Sequence, residues 1–309
     1  MATLRIGTRR SALALWQAEH IAARLLEAHP GLSVELVKMT TRGDQFLRAP
    51  LSEIGGKGLF TREIEEALLR GEVDLAVHSL KDMPADLAPG LALAAPPTRE
   101  DPRDALCSDG ARPLSALPEG ARIGTSSLRR ATQLRLLRPD LRIESTRGNV
   151  PTRLSKLDRN GLEGGLDGVV LAAAGLRRLG LEARIGQRFE VSEMVPSVGQ
   201  GILGLERRAD DARVAELLAP LGDAATDACA RAERALLASL GAGCTVPLGG
   251  HAVLKGQRLR LVGLLIDPAT GARQRVEGEG PLAEAEALGQ RLGASLLSGP
   301  ARGVLGVRS

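Results

Sequence analysis

The sequence predicts an α/β protein with two similar lobes of mainly parallel sheet, followed by a small α+β domain. Two observations predict the lobes: strand and helix patterns alternate in the order β-α-β-α-β twice, and the tetrapeptides RIGT and TRG[DN] occur in both halves in the same order. A third observation predicts the last domain, because from about Thr226 a helix is followed by alternating strand patterns. The length of 309 residues suits about two or three domains.

The first lobe begins with a strand over 4–7 and a helix over 11–26, whose first serine is the predicted N-cap. A strand over 34–40 precedes TRGD. A second helix is predicted to begin after Thr61, which is its predicted cap. Acidic residues lie in the first turn of this helix, where the helix dipole favours them. The apolar run 73–78 predicts the third strand.

The second lobe repeats this order, and the last domain departs from it. The predicted elements of the second lobe are a strand over 122–125, a helix from Ser127, a strand over 141–145, a helix around 152–157 and a strand over 168–172. The turn-rich segments 97–104 and 192–201 are the predicted crossovers between lobes. The last domain is predicted as a helix over 226–240, strands over 259–266 and 273–278, and a helix over 281–297.

The composition narrows the classes of ligand. Of 41 basic residues, 36 are arginine, while Trp16, Phe46, Phe60 and Phe189 are the only aromatic residues. Binding of single-stranded nucleic acid usually needs bases stacked on aromatic rings, so this class is disfavoured. Arginine without aromatic residues favours small anions held by guanidinium forks. Codon bias in a GC-rich genome is the open alternative for the arginine count.

The expected compartment is the cytoplasm, without a membrane partner. The sequence has no apolar run of about 18 residues and no secretory signal pattern at its start. Its three cysteines show no CxxC spacing, and its four histidines are dispersed. These counts disfavour a disulfide framework and a metal site.

Positive charge is concentrated near the predicted starts of the repeated helices. Between 122 and 153 there are eight arginines against two acidic residues. Guanidinium groups, hydroxyls and helix N-terminal amides together favour a carboxylate or phosphate ligand. The candidate residues are Arg9, Arg10, Ser11, Thr125, Ser126, Ser127, Arg129, Arg130, Arg147 and Arg153. Arg135 and Arg138 are instead interpreted as part of a solvated helix face.

The segment HSLKDMP places polar residues after a buried strand, where α/β proteins keep catalytic groups. Its candidates are Ser79, Lys81 and Asp82. An ionised Asp82 among cations suits the stabilisation of a developing positive charge; an ordinary turn aspartate is the open alternative. His78 is interpreted as structural. The stretch IGGKG lacks P-loop spacing and is interpreted as a lid or a plain loop.

The cysteines differ in their surroundings. Cys244 lies in the glycine-rich sequence GAGCTVPLGG, which suits an accessible point of covalent attachment, although an incidental cysteine is the open alternative. Cys107 and Cys229 are interpreted as packing residues.

An ordered series of motifs resembles the porphobilinogen deaminase family. The motifs are RIGTRRSALALWQA, TRGD, GGKGLF, DLAVHSLKDMP, GTSSLRR, RGNVPTRLSKL, LAAAGLRRLGL, PSVGQG and GCTVPLG. The resemblance extends densely from residue 4 to about 250. It implies two lobes like those of periplasmic binding proteins and a transferase that joins four porphobilinogen molecules head to tail, with loss of ammonia, to give hydroxymethylbilane for tetrapyrrole and haem biosynthesis.

The resemblance also implies site residues and a dipyrromethane cofactor in thioether linkage to Cys244. Asp82 and Lys81 correspond to catalytic residues, and Lys57 and Phe60 to the lid. Cofactor binding is implied for Arg9, Ser11, Ser79, Thr125, Ser126, Ser127, Arg129, Arg130, Arg147, Arg153, Arg178 and Gln200. Arg177 competes with Arg178 for its position. A monomer without metal, nucleic acid or membrane partner is expected.

The expected division of the chain is 1–98 with 200–219 for the first lobe, 103–194 for the second and 224–309 for the C-terminal domain. Two rival functions remain open. A non-enzymatic binding protein for small carboxylates would need neither Asp82 nor Cys244. A cysteine-dependent acyl transferase would need a histidine paired with Cys244, and the sequence links none to it.

Overall fold

The computed structural model describes residues 3–41, 61–158, 165–241 and 246–305. The strands are β1 Leu4–Arg9, β2 Val34–Met39, β3 Leu75–Ser79, β4 Leu91–Ala94, β5 Asp104–Ser108, β6 Arg122–Gly124, β7 Arg142–Glu144, β8 Gly168–Ala172, β9 Ile185–Arg188, β10 Leu203–Arg208, β11 Leu248–Lys255, β12 Arg258–Ile266 and β13 Arg273–Pro281. The α-helices are α1 Ala12–Ala28, α2 Arg62–Leu69, α3 Leu128–Leu137, α4 Val150–Leu157, α5 Ala173–Arg178, α6 Ala212–Leu218, α7 Ala224–Ser239 and α8 Ala285–Leu297.

The predicted duplication is confirmed by two five-stranded sheets with matching topology. Lobe 1 has the strand order β2-β1-β3-β10-β4, and lobe 2 has the order β7-β6-β8-β5-β9. In each sheet the fourth strand runs antiparallel to both of its neighbours, and the other pairs are parallel. Two of the four pairings in each sheet are therefore antiparallel, but four of the five strands run in the same direction, which agrees with the predicted mainly parallel sheets.

Each sheet has helices on both faces. Alternate residues of β3 point to opposite sides, so Leu75 and Val77 pack with α1 while Ala76 packs with α2. In lobe 2, Val170 of β8 joins one apolar cluster, and its neighbours Val169 and Leu171 join another. Burial on both faces explains why β3 and β8 read as continuous apolar runs.

The repeated tetrapeptides also pack against each other in lobe 2. A Cβ atom added to Gly124 of RIGT would lie 2.6 Å from the Thr146 hydroxyl of TRGN. Gly148 has a φ of +109°, and a Cβ there would lie 2.7 Å from the methyl group of Thr152. Glycine at both positions allows close approach where β6 and β7 lead into the cleft.

The C-terminal domain is a three-stranded antiparallel sheet, β11-β12-β13, packed with α7 and α8. The predicted strands β12 and β13 are confirmed, and both are slightly longer than predicted. The final helix begins at Ala285 instead of 281, after a short 3-10 turn over Leu282–Glu284.

Local sequence determines most of the predicted helix starts. Ser11 and Ser127 are N-caps, and each hydroxyl accepts a bond of 3.4 Å from the backbone three residues on. Thr61 is the N-cap residue of α2, as predicted, although its side chain makes no capping bond. Asn149 caps α4, which therefore begins two residues before the predicted start at 152.

The crossovers meet the C-terminal domain at a buried carboxylate. The guanidinium group of Arg99, in the first crossover, donates to Glu233 of α7 at 2.6 Å. Glu233 also accepts from the backbone amides of Gly199, in the second crossover, and Ala252, in β11. One fully buried side chain thus joins both crossovers to the third domain.

Within the described ranges, no helix is sufficiently long and apolar to cross a membrane.

Candidate active site

The site residues of lobe 1 follow strand β3 at its carboxyl end. Ser79 ends the strand, and Lys81 and Asp82 lie in a 3-10 turn over Leu80–Asp82. The amide nitrogen of Gln17 in α1 donates to the Ser79 hydroxyl at 2.9 Å. Gln17 is buried, and sequence analysis missed it because it reads there as one polar residue within an amphipathic helix. Arg9 ends β1 and is half-buried.

Gln200 links the two lobes. Its side-chain oxygen accepts from Nζ of Lys81 in lobe 1 at 3.3 Å and from Nη2 of Arg130 in lobe 2 at 3.5 Å. Its amide nitrogen donates to Asp104 and to the Pro102 carbonyl. Gln200 is completely buried, and these contacts hold Lys81 beside the arginine cluster of the other lobe.

Asp104 is the counter-ion of the predicted arginine pair. Its carboxylate accepts from Arg129 and from Arg130, in each case at 2.7 Å, and all three residues are buried. Burial alone would raise the pKa of Asp104, but the two guanidinium charges and the bond from Gln200 lower it well below its usual range. Sequence analysis missed Asp104, which it read as part of a turn-rich crossover, although the residue begins β5.

The cations nearest to Asp82 are crowded. Nε of Arg153 donates to the Gly148 carbonyl at 2.8 Å. Burial lowers the pKa of Arg153 to about 10; the charges of Arg130 and Arg147 also lower it, while Asp82 raises it. Residues from both lobes therefore act on one another electrostatically. Asp82 itself is exposed.

The candidate hydroxyls lie at the starts of the repeated helices. Ser11 and Ser127 are the N-caps of α1 and α3. Thr125 is buried and accepts from the backbone amide of Ser127 at 3.2 Å. Ser126 donates to the Thr146 carbonyl at 2.7 Å, which joins RIGTSS to TRGN.

The geometry favours Arg178 over Arg177. Arg178 is buried, donates to the Gly201 carbonyl at 2.8 Å and lies over the ring of Trp16 in α1, 5.8 Å from its centroid. Burial lowers its pKa to about 10. Arg177 points outward and pairs with Glu100 on the surface. The contact of Arg178 with Trp16 joins lobe 2 to lobe 1.

The structure tests three residues to which sequence analysis assigned no role in the site. His78 is buried, with Nε2 lying 3.2 Å from a carboxylate oxygen of Glu206, which confirms a structural histidine. Arg135 is exposed, as expected for a solvated face. That interpretation was wrong for Arg138, because its guanidinium group binds Asp140 and the carbonyls of Leu114, Leu117 and Pro118.

Two of the three cysteines are enclosed. Cys107 and Cys229 are buried, and burial raises the pKa of each thiol to about 11, as expected for packing residues. Cys244 and the lid residues Lys57 and Phe60 lie outside the described residues.

Family models match most of the chain. A model described as "Porphobilinogen deaminase, dipyromethane cofactor binding domain" matches residues 4–216, and one for the C-terminal domain of porphobilinogen deaminase matches residues 228–298. The chain belongs to the porphobilinogen deaminase family. It is therefore a transferase, hydroxymethylbilane synthase, with porphobilinogen as substrate and dipyrromethane as cofactor, acting in tetrapyrrole biosynthesis. The non-enzymatic alternative is not favoured.

Curated porphobilinogen deaminases are similar over nearly the whole chain. That of Syntrophotalea carbinolica is 54% identical over 295 residues, covering 96% of this chain and 92% of the relative. That of Thiobacillus denitrificans is 54% identical over 306 residues, covering 99% and 98%. That of Stenotrophomonas maltophilia strain K279a is 52% identical over 307 residues, covering 99% and 100%.

Solved structures of other proteins show weaker similarity. The alkanesulfonate-binding protein SsuA from Xanthomonas axonopodis pv. citri has a TM-score of 0.36 at 15% identity, covering 77% of this chain and 74% of that one. The LysR family transcriptional regulator CbnR has a TM-score of 0.43 at 12% identity, covering 72% and 70%.

The donor set of this porphobilinogen deaminase site fits dipyrromethane. Each pyrrole ring carries two carboxylates, so the group needs several cations and hydroxyls. Arg130 and Arg147 are close enough to Arg153 for their charges to repel it. This repulsion adds to the effect of burial in lowering the pKa of Arg153. Anionic groups placed among them would relieve that repulsion.

Substitution of Asp104 by Asn should destabilise the protein by about 3 kcal/mol, because it leaves two buried guanidinium groups without their carboxylate. Denaturant unfolding measures the effect. The control is Asp158→Asn, which removes a surface pair with Arg184 and should have a far smaller effect. Equal stability of the Asp104→Asn variant and the parent protein would contradict a structural ion cluster.

Activity should depend on the protonation of Lys81. Burial and the nearby guanidinium groups of Arg130 and Arg129 lower its pKa to about 8, against the opposing effect of Asp82 and Asp104. Because the ammonium group loses its charge above that pH, kcat/KM should fall between about pH 7 and 9. Lys81→Arg should keep the charge and lose this decline.

The matched control for the pH profile is Lys255→Arg, at an exposed position, which should retain the decline. The same decline in the Lys81→Arg variant would assign it to another group.

Proposed function

We propose that Asp82 is the catalytic carboxylate, acting on the positive charge that develops when porphobilinogen loses ammonia and couples to the chain. The observation that supports this proposal is that Asp82 is exposed just after β3 and interacts electrostatically with Lys81 of its own lobe and with Arg130 and Arg153 of lobe 2. An ionised carboxylate near the pyrrole N–H groups stabilises a delocalised cation. Lys81 supplies a charged donor held by Gln200.

The cationic residues and hydroxyls hold the acetate and propionate groups. Arg9, Arg147 and Arg153 supply guanidinium groups, and Ser11, Ser79, Thr125, Ser126 and Ser127 supply hydroxyls near helix N-termini. Arg178, which lies over the ring of Trp16, supplies a further guanidinium group. Arg129 and Arg130 also have a structural role, because their guanidinium groups bind Asp104. Gln200 has a second role besides cofactor binding, because it orders the side chains of Lys81 and Arg130.

Cys244 is the attachment point of dipyrromethane in this proposal. The other two thiols are enclosed and have raised pKa values, which disfavours their reaction. When bound, the group anchors the growing chain. Its tether turns each coupling into a positioned reaction within one protein. Lys57 and Phe60 are proposed to belong to a lid over the cleft.

The proposed working form is a cytoplasmic monomer without a nucleic-acid or membrane partner. The scarcity of aromatic residues supports the exclusion of single-stranded nucleic acid. The proposed domain boundaries remain 1–98 with 200–219, 103–194 and 224–309. The position of β10 within the lobe 1 sheet supports the discontinuous first segment.

The intact mass of the purified protein tests the tether. It should exceed the mass calculated from sequence by two linked pyrrole units, and Cys244→Ser should abolish this difference. Cys107→Ala and Cys229→Ala are the controls and should retain it. An active protein of unmodified mass would refute the attachment.

Asp82→Asn tests the catalytic carboxylate, because it keeps the size of the side chain and removes its charge. Turnover should fall at least about 100-fold, since a charge that stabilises the transition state is lost. The exposure of Asp82 predicts an unchanged unfolding midpoint. Turnover within twofold of the parent enzyme would refute the role.

A further inference from the structure

We propose that Arg234 is a positioning residue that holds the Asp82 loop against the helix leading to Cys244. The inference rests on the proposed roles of those two residues. Arg234 lies on α7 in the C-terminal domain, and its guanidinium group reaches into lobe 1. It therefore connects lobe 1, which carries the proposed catalytic carboxylate, with the C-terminal domain, which carries the proposed attachment cysteine.

The contacts are made by both arms of the guanidinium group. Nη1 donates to the Pro84 carbonyl at 3.0 Å, and Nη2 donates to the Ala85 carbonyl at 2.7 Å. These carbonyls lie two and three residues after Asp82, in a segment without regular secondary structure. A planar fork with fixed donor directions restrains two successive peptide groups more tightly than a single donor does.

Packing under the loop is incomplete. A cavity of about 360 Å³ lies between the Asp82 loop and α7. Leu80, Ala85 and Leu87 line it from the loop, while Ala230, Ala235 and Ala238 line it from the helix. Arg234 also lines this cavity and crosses from one wall to the other. Without the guanidinium group, the loop could sink toward α7, since side chains do not fill the space below it.

Carboxylates of lobe 1 act on this half-buried guanidinium group. Burial lowers the pKa of Arg234, while the charges of Glu206 and Asp86 raise it. Glu206 is fully buried in β10, beside His78 of β3. The charge of Arg234 is therefore stabilised by carboxylates of the lobe that it contacts.

The same helix leads to the proposed tether. α7 ends at Ser239, five residues after Arg234 and five before Cys244. The Arg234 bonds therefore fix the Asp82 loop relative to α7, the last described helix before Cys244 in the chain.

The test compares Arg234→Gln and Arg234→Lys with Arg231→Gln. Arg231 is on the same helix and also lines the cavity, but it pairs with Asp227 and Glu286 instead of the loop carbonyls. Both Arg234 variants should lower kcat by about tenfold or more, since small displacements of a reacting group have large effects on rate. KM should stay within twofold, and intact mass should show a loaded cofactor. The Arg231 control should keep kcat within twofold.

A double-mutant cycle separates positioning from general stability. In an Asp82→Glu background, where the carboxylate is already displaced, Arg234→Gln should lower kcat by less than threefold. Two results would overturn the proposal. One is that Arg234→Gln lowers kcat by the same factor in the Asp82→Glu background as in the parent enzyme. The other is that both Arg234 variants have the same kcat as the Arg231 control. If Arg234→Gln does not fold, the same double-mutant cycle is measured with Arg234→Lys and is judged by the same criterion.

The outcomes also separate this inference from the proposed function. A fully active Asp82→Asn variant would remove the role of Asp82 and with it the role of Arg234. An inactive Asp82→Asn variant together with unchanged Arg234 variants would remove only the positioning role.

Discussion

The buried carboxylate of Asp104 is the interaction on which the site depends. It neutralises one of two adjacent guanidinium charges in lobe 2 and leaves an excess of positive charge next to the cleft. Through Gln200 the same cluster reaches Lys81 in lobe 1. The protein therefore concentrates cations without leaving each one unpaired, which would be costly in a buried site. An anionic substrate then completes the charge balance.

The chemistry explains why this arrangement suits a growing polypyrrole. Each coupling adds carboxylates to a confined cleft, where they would repel one another without fixed cations. Guanidinium groups supply both charge and direction. The opposite requirement applies at the reacting carbon, where positive charge develops and a carboxylate is needed. In the proposed function, Asp82 meets the second requirement and the arginines meet the first.

Sequence patterns predicted the features that depend on near neighbours. The caps Ser11 and Ser127 and the apolar strands β3 and β8 could be predicted because their causes lie within a few residues. Strands β4, β5, β9 and β10 and helices α5 and α6 went unpredicted, since they are short or take their pairing from distant segments. Strand β11 is longer and pairs with the adjacent β12, but Gly249 and Gly250 weaken its strand pattern. In the site, the concentration of arginines near the starts of the repeated helices identified Arg129 and Arg130, and the family motifs agreed. Their partner Asp104 gave no local signal, because a buried ion pair depends on contacts 25 residues or more apart.

The place of β10 has a consequence for the order in which the chain folds. β10 lies between β3 and β4 and pairs with both, yet it follows every strand of lobe 2 in the chain. During synthesis from the N-terminus, lobe 2 has all its strands first, from one continuous segment. The sheet of lobe 1 cannot be completed until β10 has been synthesised, although its other four strands are synthesised before any strand of lobe 2. The lobe that holds Asp82 is thus started first and completed second.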